Sequence, residues 1–488
     1  MISKRRRRQP PAERRPGPRG WAMPFGGAAG IVRPAPEWRS STVQACGLWP
    51  FTGSGGLPLI GVPLGQHMMS GATVCSDPVS WFDEAGLIAN PSLLLMARAG
   101  LGKSSLIRRM ALGLSAYGVL PLAFGDLKPD YRELVVALGG NVVELGHGLG
   151  SLNVLDAGAA TTVAQRLPVE MRERLLEEAR VRRLTTLSTL IQINRSQGVT
   201  DHEESVLAVA LRLLDDRFEP SVATLRELIA LLNEGPVELR AVTMDRGDET
   251  AYRAATDPLL KSIAALADGS MGSLFARRTT TPIDLTRPLC IDISSIPESD
   301  SKLSAAVLLA CWSEGFGSIA AYQALVDAGR EPQRNWFIIL DELWRVMRAG
   351  SGMGDRVDAL TRLDRNTGVG TAMITHNVDD ADGGIASLAK RAGYYAFGGQ
   401  APDEVPALAR FAALTGREME LITHWSSPES WDRVTGARQD PPGVGSFLLK
   451  VGSAPGIPVR VRLTDAERRV GDTNRRWTTA AYRTPAPL

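Results

Sequence analysis

One stretch limits the possible folds more than any other. Ser92–Ala97 (SLLLMA) is a compact apolar run, Ala97–Ser104 (ARAGLGKS) is a glycine-spaced turn, and helix-prone text continues from Ser104 to Tyr117. A short apolar run bounded by turn residues reads as a buried strand. A strand that enters a glycine turn and leaves as a helix gathers backbone N–H groups and a helix N-terminus around one point, which is a cradle for an anion. The turn fits the phosphate-binding pattern GxxxxGK[ST] except that Ala97 replaces the first glycine. Ala97, Arg98, Ala99, Gly100, Leu101, Gly102, Lys103, Ser104 and Ser105 are therefore the expected nucleotide cradle. Gly102 permits close backbone approach, Lys103 would bridge the β- and γ-phosphates of ATP, and the Ser104 hydroxyl would ligate Mg²⁺. Alanine disfavours positive φ, so position 97 should have ordinary backbone geometry. A chance glycine-rich turn leaves the preceding strand and following helix unexplained.

Beyond this loop the text alternates. Val119–Gly125 reads as a second buried strand, Asp130–Leu138 as a helix and Val142–Leu145 as a third strand. Strand text returns at Leu289–Ile293, Trp336–Leu340, Gly370–Ile374 and Tyr394–Phe397, between helical patterns at 301–324, 354–367 and 402–414. Such alternation predicts an α/β fold with a parallel central sheet covered on both faces. Val169–Ile193, His202–Phe218 and Ala223–Leu232 repeat apolar residues at three- and four-residue spacings, which predicts an all-helical insertion. Gly445–Val451 and Ile457–Leu463 flank a Gly/Pro turn and predict a C-terminal β-hairpin. The expected division is an Arg/Pro/Gly-rich arm at 1–40, a short strand-bearing segment at 41–90, a core in two parts at 91–161 and 269–465, the helical insertion at 162–268, and a tail at 466–488.

A second motif sits at Trp336–Glu342 (WFIILDE), an apolar strand running into two acids. In open α/β sheets, ligand chemistry gathers at the carboxyl ends of the strands. Asp341 would hold Mg²⁺ through water, and Glu342 would polarise an attacking water as general base. Alone, such a run is often just a solvated strand end; paired with a phosphate loop upstream it points to hydrolysis. A third segment, Arg362-Leu-Asp-Arg365, precedes the strand ending in Thr375-His376. His376 is placed to sense a γ-phosphate, and Arg365 or Arg362 could reach a neighbouring subunit's nucleotide as an arginine finger. A charged surface helix with a polar cap explains the same spacing. His67, His147, His202 and His424 stand singly, as solvent-facing or structural histidines do.

The net charge of +2 conceals a division: the first 20 residues carry +7 and the remainder −5. A basic arm of this kind serves as an electrostatic foot for nucleic acid or for an anionic membrane surface, or simply as a solubilising tail. Cys46, Cys75, Cys290 and Cys311 lie far apart with no CxxC pair, which fits a reducing cytosol better than a disulfide framework or a structural zinc. No apolar run approaches the roughly 18–20 residues of a membrane span.

Taken together, the segments resemble the conjugation and type IV secretion ATPases, the TraC/VirB-type branch of the HerA–FtsK group of P-loop motors. Phe124–Leu134 (FGDLKPDYREL) looks like that family's second strand and following helix, and Ser151–Asp156 (SLNVLD) like its turn. Trp336–Trp344 is similar to its Walker B strand, the hairpin ending in Arg462-Leu-Thr464 to its last strands, and Gly61–Trp81 to text preceding the loop in actinobacterial members. Departures are Ala97 for glycine and His376 where many members carry glutamine. The resemblance implies a P-loop NTPase core of RecA-like (ASCE) type, an ATP- and Mg²⁺-dependent hydrolase, a homo-hexameric ring, and docking on conjugation or secretion channel proteins at the cytoplasmic face of a membrane. Two other readings stay open: a duplex-DNA translocase of the same group, and a scaffold that binds nucleotide without hydrolysing it.

Overall fold

The computed structural model describes residues 59–218, 221–350, 352–361, 367–376, 389–428, 430–431, 438–439 and 441–471. Its strands are β1 (Pro63–His67), β2 (Thr73–Cys75), β3 (Ser92–Met96), β4 (Leu120–Asp126), β5 (Asn141–Glu144), β6 (Leu289–Asp292), β7 (Trp336–Leu340), β8 (Val369–Thr375), β9 (Tyr394–Phe397), β10 (Ser430–Trp431), β11 (Arg438–Gln439), β12 (Ser446–Lys450) and β13 (Ile457–Val461). Eleven of them form one sheet in the order β2-β1-β13-β12-β9-β3-β8-β7-β4-β6-β5, while β10 and β11 pair separately. From β9 to β5 every pairing is parallel. From β9 to β2 every pairing is antiparallel. The hairpin and the early strands are thus an extension of the core sheet, which hydrophobic pattern alone did not disclose.

Up to residue 361 the helices are α1 (Pro78–Asp83), α2 (Lys103–Ala116), α3 (Arg132–Ala137), α4 (Ala159–Ala164), α5 (Val169–Arg195), α6 (Asp201–Phe218), α7 (Leu225–Glu234), α8 (Val237–Thr243), α9 (Glu249–Asp268), α10 (Gly272–Phe275), α11 (Ser301–Asp327), α12 (Leu343–Met347) and α13 (Met353–Thr361). Successive strand residues point to opposite faces, and both faces are covered. Leu93, Leu95, Phe337 and Ile339 pack with Leu106, Ile107 and Met110 of α2. Leu94, Met96, Ile338 and Leu340 pack with α11 and the helices from α5 to α9. All five residues of β3 and of β7 are buried, which is why they read as unbroken apolar runs.

The SLNVLD turn ties the helical segment to the sheet. Asn153 Nδ2 donates to the Ala223 carbonyl at 2.8 Å, and Asp156 accepts from Thr279 Oγ1 at 2.9 Å. Helix α11 is long and apolar enough by composition to cross a membrane, contrary to the expectation that no such run exists. Most of it is buried, and Trp312 anchors it by donating to the Phe124 carbonyl at 2.8 Å. Its apolar text therefore reflects packing on all sides. Helical text at 402–414 becomes a tight 3₁₀ turn, Val405–Arg410, followed by a helix at Gly416–His424. Pro406, without an N–H, suits the first turn of a short helix only.

Candidate nucleotide-binding site

Because their strands are parallel, the ends of β3, β4, β7, β8 and β9 share one edge of the sheet. The glycine turn leaves β3 there. Gly100 (φ +80) and Gly102 (φ +91) take the left-handed positions, while Ala97 does not, as expected. The Ala97 methyl fits because residue 398 is glycine: a Cβ on Gly398 would stand 2.5 Å from it. Backbone bonds brace the turn, with Arg98 N–H donating to Gly399 O at 3.1 Å and Gly445 N–H to Leu101 O at 3.0 Å.

Lys103 opens α2, and its buried ammonium donates to the carbonyls of Ala97 (2.8 Å) and Arg98 (3.1 Å) and to Nδ1 of His376 (2.6 Å). Burial pulls this ammonium down to about 8, against the pull of Asp341 and Glu342. An ammonium only donates, so His376 Nδ1 accepts and the ring proton sits on Nε2, which donates to Glu342 Oε1 at 3.3 Å. One imidazole therefore links the cradle to the acid of the neighbouring strand.

Asp341 and Glu342 leave the end of β7. Glu342 is in the left-handed region (φ +54), a strained position for a residue with a Cβ. Its N–H donates to Asp341 Oδ1 at 2.7 Å, which secures that conformation. Asp341 Oδ2 accepts from the Tyr131 hydroxyl at 2.8 Å. Burial first, then the neighbouring Glu342 charge, pushes the Asp341 carboxyl up to about 6. Burial also disfavours Glu342, yet hydrogen bonds from His376 and Lys128 outweigh it and hold that carboxyl well below the usual range. Adjacent acids are thus pushed in opposite directions.

Residues 127–131, between β4 and α3, contribute what sequence reasoning missed. Asp126 accepts from the N–H groups of Asp130 (2.9 Å), Tyr131 (2.8 Å) and Arg132 (3.1 Å), folding the loop over the edge. From it Lys128 pairs with Glu342 at 2.7 Å, Asp130 accepts from Ser104 Oγ at 2.7 Å, and Tyr131 reaches Asp341. The available signal is four polar groups, Asp126, Lys128, Asp130 and Tyr131, closely spaced at the end of an apolar strand. Gln400, beyond β9, was also missed; it is fully buried and donates to the His376 carbonyl at 3.2 Å.

Lys103, Ser104, Asp341, Glu342 and His376 are thus brought together, whereas Arg362 and Arg365 lie outside the described residues. Ser104, Asp130 and Asp341 offer oxygen donors of the kind a hard divalent cation takes alongside phosphate oxygens, so they fit Mg²⁺ arriving with a nucleotide. Among the described residues no group of three or more His, Cys, Asp or Glu could hold a metal alone. His147, His202 and His424 are exposed and His67 is half-buried. Cys75, Cys290 and Cys311 are buried and free.

No family model matches the chain. No curated protein matches it either. Among solved structures it is similar to VirB4 of Thermoanaerobacter pseudethanolicus, with a TM-score of 0.60 at 17% identity over 85% of this chain and 100% of that one. It also aligns with the plasmid coupling protein TrwB in complex with ADP and Mg²⁺ (TM-score 0.45, 15% identity, 77% of this chain and 86% of that one). A third alignment is with the cytoplasmic domain of the Thermomonospora curvata type VII secretion ATPase EccC (TM-score 0.33, 14% identity, 84% of this chain and 31% of that one). At these identities the likeness is one of fold, and the fold this chain shares along its length is that of VirB4.

Proposed function

We propose that this chain is an ATP-hydrolysing motor that powers transfer of DNA or protein in a conjugation or type IV secretion apparatus. The observation that carries the reading is the meeting of Lys103 and Ser104 with Asp341 and Glu342 on one edge of a VirB4-like sheet. In this reading the loop N–H groups and Lys103 hold the phosphates, and Ser104 and Asp341, with Asp130 beside them, hold Mg²⁺. The bound ion neutralises charge on the β- and γ-phosphate oxygens. Glu342 takes the proton of the attacking water, and His376, bonded to Lys103, registers the γ-phosphate. Phosphoryl transfer of this type depends on positioning and charge neutralisation more than on covalent chemistry.

The working form is a homo-hexameric ring at the cytoplasmic face of the membrane, docked on channel proteins, in which Arg365 or Arg362 of a neighbour completes the site. The +7 segment supplies a contact with DNA or with anionic lipid. The test is ATP binding and turnover by the purified chain with Lys103→Ala and Glu342→Gln. Lys103→Ala should lose both, and Glu342→Gln should bind ATP and retain it uncleaved. Hydrolysis by Glu342→Gln at the parent rate removes Glu342 as the base. Strong stimulation by duplex DNA that collapses with salt would favour a duplex translocase instead.

A further inference from the structure

A general base must present a free lone pair to water, and a carboxylate has about four acceptor positions. In Glu342, Oε1 accepts from Lys128 Nζ at 2.7 Å and from His376 Nε2 at 3.3 Å. Oε2 accepts from Trp344 Nε1 at 2.5 Å and lies 3.7 Å from Arg345 Nε. The carboxylate is enclosed by donors on both oxygens. These three donors, and Arg345 just beyond hydrogen-bond reach, are not held equally. Trp344 and Arg345 belong to α12, which follows Glu342 directly, and the Arg345 side chain is 8% exposed and paired with Glu298 at 2.9 Å. His376 is fixed by Lys103 on its ring and by Gln400 on its carbonyl. Lys128 differs: its side chain is 41% exposed and sits on a loop. The backbone beneath it is held by the three N–H bonds to Asp126 and by Pro129 with its fixed φ, so only the side chain is free to leave.

We propose that Lys128 is a positioning residue that restrains Glu342: while its ammonium rests beside His376 on Oε1 that oxygen has no lone pair left for water, and its withdrawal to solvent frees one. The restraint rests on the reading of Glu342 as the base of an ATPase. It makes the β4–α3 loop the element that sets when hydrolysis proceeds, distinct from the groups that hold phosphate.

The test measures steady-state ATP turnover and fluorescent-ADP affinity, with Mg²⁺ present, for the full chain and for Lys128→Met, Lys128→Arg and Glu342→Gln. Loss of one charge-assisted hydrogen bond should raise kcat about tenfold in Lys128→Met, with nucleotide affinity unchanged. Lys128→Arg, which can still reach the carboxylate, should return kcat to the parent value. The double variant Lys128→Met/Glu342→Gln should be as inert as Glu342→Gln. A Lys128→Met rate at or below the parent's, or weakened ADP binding, overturns the restraint while an inert Glu342→Gln leaves the ATPase reading intact. Glu342→Gln turning over at the parent rate overturns both.

Discussion

The glycine turn is held from two sides, and the two sides are made of different material. Toward β4 lie charged and polar side chains of one loop folded on Asp126: Asp130 on Ser104 of the turn itself, and Tyr131 and Lys128 on the neighbouring Asp341 and Glu342. Toward β9 and the hairpin it meets backbone and small residues: Gly398 against Ala97, Gly399 O under Arg98 N–H, Gly445 N–H on Leu101 O. The first side can alter chemistry without altering shape. The second can alter shape without touching a reacting group. Substitutions on the two sides should therefore separate turnover from stability.

Removing the cation at the centre gives the largest effect. Lys103→Ala should lower ATP turnover by about a thousandfold or more, with thermal unfolding near that of the parent. Next comes the hairpin side. Lys450 on β12 is 1% exposed and pairs with Glu418 at 3.0 Å, and Glu418 also accepts from Gly456 N–H. Lys450→Met leaves that carboxylate without its counter-ion and should cost about 3–5 kcal/mol in urea unfolding, while kcat of the folded protein stays at the parent value. A matching loss of kcat would mean that the two sides are not separable.

Asp126 gives a smaller effect of defined sign. Burial raises its carboxyl from 3.8 to about 6 despite the bonds from Tyr131 and Asp130. The folded chain therefore binds this proton more tightly than the unfolded one. Its contribution is complete below about pH 4 and is lost as pH rises through about 6. The stability of the parent relative to Asp126→Asn should fall by about 2–3 kcal/mol between pH 4 and pH 7; a constant difference would contradict this. Smallest is the contact at Ala97. Gly398→Ala should cost about 1–2 kcal/mol by crowding the Ala97 methyl, and adding Ala97→Gly should restore part of that loss in the same unfolding measurement.

What was legible in the sequence followed from burial on both faces and from chain-local spacing. Leu93 to Met96 and Trp336 to Leu340 announce themselves because no residue in them faces water. The glycine turn is legible because its chemistry is local. The β4–α3 loop was not, since Lys128, Asp130 and Tyr131 read like any polar turn until the sheet order sets β4 beside β7. Gln400 was invisible for the same reason, its partner being the backbone of His376 on another strand. The joining of β1 to β13 escaped because register is a relation between distant segments, and Gly65 pairs with Val461. Arg365 and Arg362 stay as read from spacing.

That last pairing bears on how the protein comes to exist in a cell. Chains emerge from the ribosome N-terminus first, at roughly 5–20 residues per second. Strand β1 must wait for about 400 further residues before β13 appears. Gly445, which braces the glycine turn, is made almost as late. The cradle near residue 100 is therefore assembled only when synthesis is nearly complete, and a nascent chain stalled before the hairpin should hold its strands and α2 without a finished site.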